Sequence, residues 1–514
     1  MQNACLVTPL IFFSMQTQPP ADSCKDSSVT TVRIAIVGGG IAGLAAAYEV
    51  EKARSTGAAI DYTLFEDRPR LGGSLASEIV KGAVLECGPD SFLTEKPAAA
   101  ELCRELGLGD QLLPSNDAAR KTYIVVRNRL VALPDGLMFL VPTKLVPTAL
   151  TPLFSVPTKL RMAMELLHPP RPAAQDESVA ALVERHFGRE AVDRLADPLL
   201  SGIYGGDAAQ LSAQTVLPRL VDMERQYGSL TRGMLAAHRK MQAIAKTSSK
   251  GSNRGGAIFT ALRRGMGQLV EALATRIDSA SVRTSTSVRA IARTNEGWTI
   301  ATNGGRGRYD ALIMATPAWA AASLLTPVDA ELGADLGGIP YSSSITVNLI
   351  YDEAQIGRLP EGFGFLVPGI EGRAMLACTF VHRKFLGRTP PGKAVFRAFL
   401  GGMKNESLLN ASDDTLVATV RREMSEILGR RTFSAATEPE HAQVSRWQRA
   451  MAQYAVGHKE RMQRIRARTA ALPGLRLVGN AYDGIGVPDC IRLGRQAARE
   501  LVAAGVRAAS GTPA

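Results

Sequence analysis

The sequence predicts an α/β protein, α+β overall, in which a Rossmann-like nucleotide-binding domain is interleaved with a mixed-sheet domain and a helical subdomain. Three observations carry this. Near the start, VRIAIVGGGIAGLAAAYEV joins an apolar strand to a Gly38-x-Gly40-x-x-Gly43 turn and an Ala/Leu-rich helix. Near the end, LPGLRLVGNAYDGIGVPDCIRLGRQAARELVAAGV repeats that order of strand, glycine turn and helix. Between them, from Ser281, the texture changes to short segments that read as strands. A chain of 514 residues is too long for one core; at about 150 residues per domain, two to four domains are expected.

Taken in order, Val32–Val37 is the buried first strand, and the glycine turn opens a helix whose first N–H groups face a phosphate. DYTLFED is the second strand, and Glu66 lies 23 residues past Gly43, where a carboxylate reaches a ribose hydroxyl. The doublet Gly72-Gly73 follows six and seven residues later. A second glycine turn beside a pyrophosphate suits a cofactor held extended, so the expected dinucleotide is FAD. From Pro97 to about Asp207 the chain reads as largely helical, with Asp176, Glu177 and Ser178 placed at a helix start. Within it, GLMFLVPTKLVPTALTPLFSVPTKL, 136–160, is apolar but broken by four prolines and two lysines. It is expected to line an apolar pocket rather than to lie on a membrane, because the prolines interrupt any continuous amphipathic face. SVRAIAR, GWTIATN and YDALIMATPAWAAASLL follow as strands, the last entering a helix. SSSITVNLIY, GFGFLVP, AMLACTFV and AVFRAFL form a further β-rich block. The expected pieces are a disordered leader 1–30, nucleotide-binding segments 31–96, 257–325 and 441–507, a helical subdomain 97–210, mixed-sheet segments 211–256 and 326–440, and a disordered tail 508–514.

Composition narrows the class. Lys plus Arg 60 against Asp plus Glu 48 gives a net charge of +12, a surface suited to polyanions. No RNA-binding signature, zinc spacing or basic-aromatic interleaving is present, so no nucleic acid partner is expected. The six cysteines are scattered without a CxxC pair, which argues against a disulfide framework or metal cluster and fits a reducing, cytoplasmic setting. The histidines show no pair at ligand spacing, so no metal is expected. The apolar run LVTPLIFFSM lacks a basic flank before it, and Met15 is an alternative start. No stretch reaches 18 uninterrupted apolar residues, so no transmembrane helix is expected.

Six motifs then stand together: VGGGIAGLAAAYEVEK, LFEDRPRLGG, ECGPDSFLTEKP, DPLLSGIYGGDAAQLS, RWQRAMAQYAVGHKERMQRIR and GNAYDGIGVPDCIRLGRQAA. In this order, over about Val32–Val506, they resemble the FAD-dependent porphyrinogen oxidases of haem synthesis, within the flavin amine oxidase superfamily. The likeness is closest to the bacterial coproporphyrinogen III oxidase (coproporphyrin-forming) branch, also named protoporphyrinogen oxidase.

That resemblance implies a site. Gly38, Gly39, Gly40, Ile41, Ala42 and Gly43 would wrap the pyrophosphate, with Glu66 and Asp67 at the adenosine ribose and Gly72 and Gly73 beside it. Ser74 stands where relatives often carry Lys or Arg. Gly88, Pro89, Asp90 and Ser91 would run along the isoalloxazine, Val288 would pair its backbone with adenine, and Trp447 would lie near the flavin. Gly486, Val487 and Pro488 would bring a helix N-terminus to the pyrimidine end, where the dipole favours the anionic reduced flavin. Tyr204, Gly205, Gly206, Leu366 and Phe380 would wall a flat slot. Thr122 stands where mitochondrial-type relatives carry Arg, so substrate carboxylates would spread over Arg120, Lys121, Arg127 and Arg129.

The implied reaction is oxygen-dependent six-electron oxidation of coproporphyrinogen III, with protoporphyrinogen IX as a second candidate. It releases hydrogen peroxide and passes hydride from a meso carbon to FAD N5, with no obligatory general base. Implied partners are the tetrapyrrole, dioxygen, a transient ferrochelatase contact and peripheral contact with the cytoplasmic membrane. The basic helix face HKERMQRIRAR, 458–468, is a docking candidate that also reads as solvated surface. A flavin amine oxidase, a carotenoid-type desaturase and a non-enzymatic porphyrin carrier are the alternatives.

Overall fold

The computed structural model describes residues 31–138, 140–170, 175–247 and 257–510, so the leader 1–30 and residues 511–514 of the expected tail lie outside it. The last helix, Val487–Ser510, includes Ala508–Ser510, which were expected in that tail.

Five parallel strands form the nucleotide-binding sheet, in the order Val282–Arg283, Ile60–Phe65, Val32–Val37, Ala311–Met314, Leu475–Leu477. They are drawn from three well-separated stretches of chain, 32–65, 282–314 and 475–477. The central strand is apolar throughout its inner residues because both of its faces are covered. Ile34 and Ile36 meet Leu44, Ala45, Ile491 and Ala498 of the helices Ile41–Ser55 and Val487–Ser510. On the opposite face, Ala35 and Val37 meet Leu312, Met314, Trp298 and Leu325. The two helices approach closely because a side chain at Gly494 would collide with the Ala42 carbonyl.

The second sheet has seven strands, in the order His441–Ala452, Tyr341–Asp352, Lys393–Gly401, Met375–Phe380, Gly364–Leu366, Thr122–Val126, Arg129–Ala132. Neighbours are antiparallel except Gly364–Leu366 and Thr122–Val126. The hairpin 122–132 therefore leaves the stretch read as helical and joins the sheet. Strand parity divides the side chains. Ile345, Val347, Leu349, Tyr351, Phe396 and Ala398 pack on Leu416, Val420 and Met424 of the helix Asp413–Leu428. Ser344, Thr346, Asn348, Arg397 and Phe399 lie on the opposite face, toward the strand Ala83–Glu86 and Gly88.

Four smaller sheets of two or three strands and a set of helices make up the remainder of the described residues. Ser178 caps Val179–Phe187 by accepting the Ala181 N–H, so the acidic cluster before it does mark a helix start. Residues 213–247, read as part of the mixed-sheet domain, are instead helical, and Ala213, Leu220, Leu230 and Met234 share one core with Val179, Leu182, Phe187 and Leu200. At the base of this bundle His186, 1% exposed, lies between Glu165 at 2.9 Å and Glu224 at 3.2 Å. Glu165 also accepts the Ser229 hydroxyl and the Leu230 N–H at the start of the helix Leu230–Thr247.

The Pro-broken stretch contradicts its expected pocket role. Leu153, Phe154 and Met162 are buried, but Val146, Leu150, Val156, Leu160, Met164 and Leu167 are 60–80% exposed. On Val156–Met164 the exposed positions 156, 160 and 164 recur at helical spacing, and Leu167 in the following turn extends them. The prolines cut the stretch into two short helices, and each leaves apolar side chains exposed, Val146 and Leu150 on the first and Val156, Leu160 and Met164 on the second.

Candidate functional site

The two glycine turns lie side by side at the carboxyl end of the parallel strands. Gly72 donates its N–H to the Gly39 carbonyl at 2.8 Å, and Gly73 packs on the Cα of Gly40. A side chain at Gly43 would enter the Gly38 carbonyl, whereas one at Gly40 would meet no atom within 4 Å. Gly40 caps the helix that begins with Ile41 and Ala42, so the open space faces its free N–H groups. Glu66, 7% exposed, accepts the Gly39 N–H at 2.7 Å and the Arg68 N–H at 3.0 Å. Burial, and then the neighbouring Asp67, push its carboxyl above the ordinary range. The hydroxyl of Thr316, next to Gly38, is buried with no hydrogen-bond partner among the described residues.

An open helix N-terminus, a carboxylate at the second strand and an orphaned hydroxyl fit the diphosphate and ribose of a dinucleotide. Thr286 donates to the Glu66 carbonyl, which brings the strand beginning at Val288 to the same end of the sheet. Ser74 is exposed, and its carbonyl fills the space a Gly88 side chain would need; Arg70 folds back onto the Gly73 carbonyl at 2.7 Å. At the start of the last helix, Gly486 donates to Asp489, which also takes Lys96 at 2.7 Å, with Val487 and Pro488 forming the first turn.

The stretch Gly88, Pro89, Asp90, Ser91 is held against the mixed sheet by side chains from three strands. The Cys87 carbonyl accepts the Thr346 hydroxyl at 2.9 Å and the Trp447 indole N–H at 2.6 Å, and the Glu86 carbonyl accepts the Asn348 amide at 3.0 Å. Arg397 donates to the Gly88 carbonyl, and Lys384 pairs with the Asp90 carboxylate at 2.9 Å. Burial raises Asp90, but Lys384 and Arg397 outweigh it and hold the carboxyl well below its usual range.

Register places Leu366, Ala377, Phe399 and Thr346 directly opposite one another across four strands, on the sheet face that meets Gly88. Leu366 and Phe399 are half-buried, so an apolar row with surface to offer runs beside Trp447. Phe399 is a residue the sequence reading missed. The alternation in AVFRAFL gave the signal, since Phe399 must share the face of Arg397.

Phe380, expected as a slot wall, is fully buried among Phe365, Phe396 and Val420 on the other face. It has no surface to offer a ligand. Gly205, left-handed at φ 57°, ends the helix Asp197–Tyr204, and Ser342 and Met451 occupy its open side. The space at Gly206 is taken by Gln453, whose amide also donates to the Tyr204 carbonyl at 2.7 Å. In the structure these glycines serve a turn and close packing. Arg120 and Lys121 are about half exposed at the outer end of the hairpin, Lys121 in an ion pair with Glu361 at 2.8 Å. Arg127 and Arg129 flank its turn. The structure does not bring these cations to Gly88. On the basic helix face, Arg464, Arg466 and Arg468 pair with Asp335, Asp483 and Asp329, so those cations are not free for a partner.

Among the described residues no helix is long and apolar enough to cross a membrane. Residues 41–502 match the family of flavin containing amine oxidoreductases. The chain is similar to the coproporphyrinogen III oxidase of Bacillus subtilis, 32% identical over 472 residues, covering 91% of this chain and 97% of that one. It is 31% identical over 482 residues to the enzyme of the same name from Staphylococcus aureus, covering 92% and 99%. The chloroplastic protoporphyrinogen oxidase 1 of Spinacia oleracea is 28% identical over 484 residues, covering 91% and 83%. A solved structure of a provisionally named protoporphyrinogen oxidase from Exiguobacterium sp. 255-15 superposes with a TM-score of 0.80 at 32% identity, covering 92% and 99%. Putrescine oxidase shares the fold at TM-score 0.64 and 18% identity, covering 92% and 99%. With the cradle fitted to a dinucleotide and the family match spanning most of the chain, the protein belongs to the flavin containing amine oxidoreductases and is an oxidoreductase whose cofactor is FAD.

Proposed function

We propose that this oxidoreductase converts coproporphyrinogen III and dioxygen to coproporphyrin III and hydrogen peroxide in haem biosynthesis. Six electrons and six hydrogens leave the macrocycle, and three molecules of dioxygen become three of peroxide. The observation that carries this reading is the pair of half-buried apolar side chains Leu366 and Phe399, set in one cross-strand row with Ala377 and Thr346 beside Gly88 and Trp447, in a chain 32% identical to a relative named for that substrate.

FAD, when bound, supplies the two-electron acceptor. The chain supplies placement. Trp447, Thr346 and Arg397 fix the backbone of 87–88, and Leu366 and Phe399 offer the face on which a macrocycle lies. No side chain is assigned as a general base, since pyrrole nitrogens and solvent can take the protons.

Peripheral membrane contact is part of this proposal. The exposed apolar side chains of Val146, Leu150, Val156, Leu160, Met164 and Leu167, with Lys144 and Lys159 beside them, suit the interface of an anionic bilayer.

Anaerobic mixing of the yellow protein with coproporphyrinogen III, protoporphyrinogen IX or a polyamine, followed by air, tests the substrate. Flavin bleaching and porphyrin fluorescence fastest with coproporphyrinogen III, with peroxide on aeration, are expected. Bleaching by the polyamine alone would overturn the reading.

A further inference from the structure

Behind the stretch 88–91 lies a buried charge cluster of which the proposed reaction uses only the hold of Arg397 on the Gly88 carbonyl. Glu86 and Arg388 pair at 2.9 Å, at 4% and 0% side-chain exposure. The Arg388 guanidinium also donates to the carbonyls of Leu262 and Asp90. Asp90 takes Lys384 at 2.9 Å and the Ser91 hydroxyl at 2.6 Å. Arg397, 4% exposed in its side chain, stands 3.8 Å from the same carboxylate. Three cations therefore face two carboxylates, and burial further pushes the Glu86 carboxyl toward its neutral form.

Arg397 is the member with unspent capacity. One guanidinium nitrogen holds the Gly88 carbonyl, and the guanidinium carbon lies 4.7 Å from the centre of the Phe399 ring. Its Nε is buried with no partner among the described residues. A single side chain thus joins the backbone expected along the flavin to the aromatic expected under the substrate, and it carries the excess positive charge. In a site shielded from water such a charge acts over several ångströms.

We propose that Arg397 is a positioning residue that also sets the reduction potential of the bound flavin: its buried charge favours the anionic two-electron-reduced cofactor, while its contacts hold Gly88 and Phe399 in register. This rests on placing 88–91 beside the isoalloxazine, and is independent of which substrate is oxidised.

The test titrates holoenzyme anaerobically, with xanthine oxidase as electron source and a reference dye, and follows flavin and dye spectra together. Arg397→Gln is expected to retain FAD and to shift the reduced-to-oxidised ratio about tenfold toward oxidised, which for a two-electron couple is about 30 mV. Arg397→Lys is expected to keep most of the wild-type ratio. Asp90→Asn removes a buried negative charge and is expected to shift the ratio the opposite way. If Arg397→Gln does not fold, the Asp90→Asn shift decides alone: a ratio that is unchanged or moves toward oxidised overturns the proposal. Unchanged ratios in a folded, yellow Arg397→Gln protein also overturn it. Because the electron source is not a porphyrinogen, these outcomes stand whether or not the substrate assignment does.

Discussion

Gly40→Val separates cofactor binding from folding. The backbone at Gly40 has φ −69° and ψ 177°, a conformation any residue adopts, and a Cβ there meets no protein atom within 4 Å. Stiffening the unfolded chain gains about 0.4–1 kcal/mol, and losing a glycine cap costs a similar amount. The apoprotein melting temperature should therefore move by less than about 4 °C. The same side chain fills the space in front of the helix N–H groups. Two charge-assisted hydrogen bonds to a phosphate, each worth about 1.5–3 kcal/mol, are lost, which weakens FAD about 10²- to 10⁴-fold. The assay is the flavin-to-protein absorbance ratio after desalting, read beside thermal unfolding of the apoprotein. Gly43→Ala is the contrast: its methyl enters the Gly38 carbonyl, so fold and flavin are lost together. A folded, fully yellow Gly40→Val protein would refute the placement of the phosphates.

Four further outcomes follow from burial and charge. Phe399→Ala should raise the KM for coproporphyrinogen III roughly tenfold with little loss of stability, because a half-buried ring gives up mainly its stacking surface. Phe380→Ala should cost about 3–5 kcal/mol in urea unfolding and leave the KM of the folded fraction alone. The His186 imidazole is lowered by burial, but Glu165 and Glu224 outweigh that and raise it above its ordinary 6.5. Its stabilisation is thus fully present below about pH 6.5 and lost as pH rises through the folded value, so the urea midpoint should fall across that window and stay flat in His186→Gln. An equal slope in both proteins would remove His186 from the account. Leu160→Glu should abolish co-sedimentation with vesicles containing anionic lipid while turnover in detergent-free buffer is retained, and undiminished sedimentation would count against the membrane contact.

What the sequence made legible was local. The glycine turn and the Ser178 cap each depend on spacing within a few dozen residues, and the structure builds both as spacing suggests, with Glu66 buried against the turn at Gly39. The failures share a cause: they needed the register of distant strands or the cover of distant helices. Phe380 and Phe399 look alike in sequence, yet strand pairing, Phe380 opposite Phe396 and Phe399 opposite Ala377, puts them on opposite faces of the seven-stranded sheet. The apolar stretch 136–160 has the composition of a pocket lining, and only the packing of Leu153, Phe154 and Met162 shows which side is left uncovered. Arg120 and Lys121 stand beside Thr122, the position of an Arg in mitochondrial-type relatives, and adjacency in sequence does not show that Lys121 is paired with Glu361, 240 residues away.

The central strand Val32–Val37 has one neighbour at Ala311–Met314, whose own neighbour is Leu475–Leu477, and the helix Val487–Ser510 closes over them. On a ribosome, the part of this domain that packs on Ile491, Ala498 and Leu501 must wait for nearly the whole chain before that face is covered. Nascent chains therefore expose that face until synthesis is almost finished, and a flavin that binds the completed cradle also certifies it. Cofactor supply during growth should then govern the yield of folded enzyme as strongly as its activity.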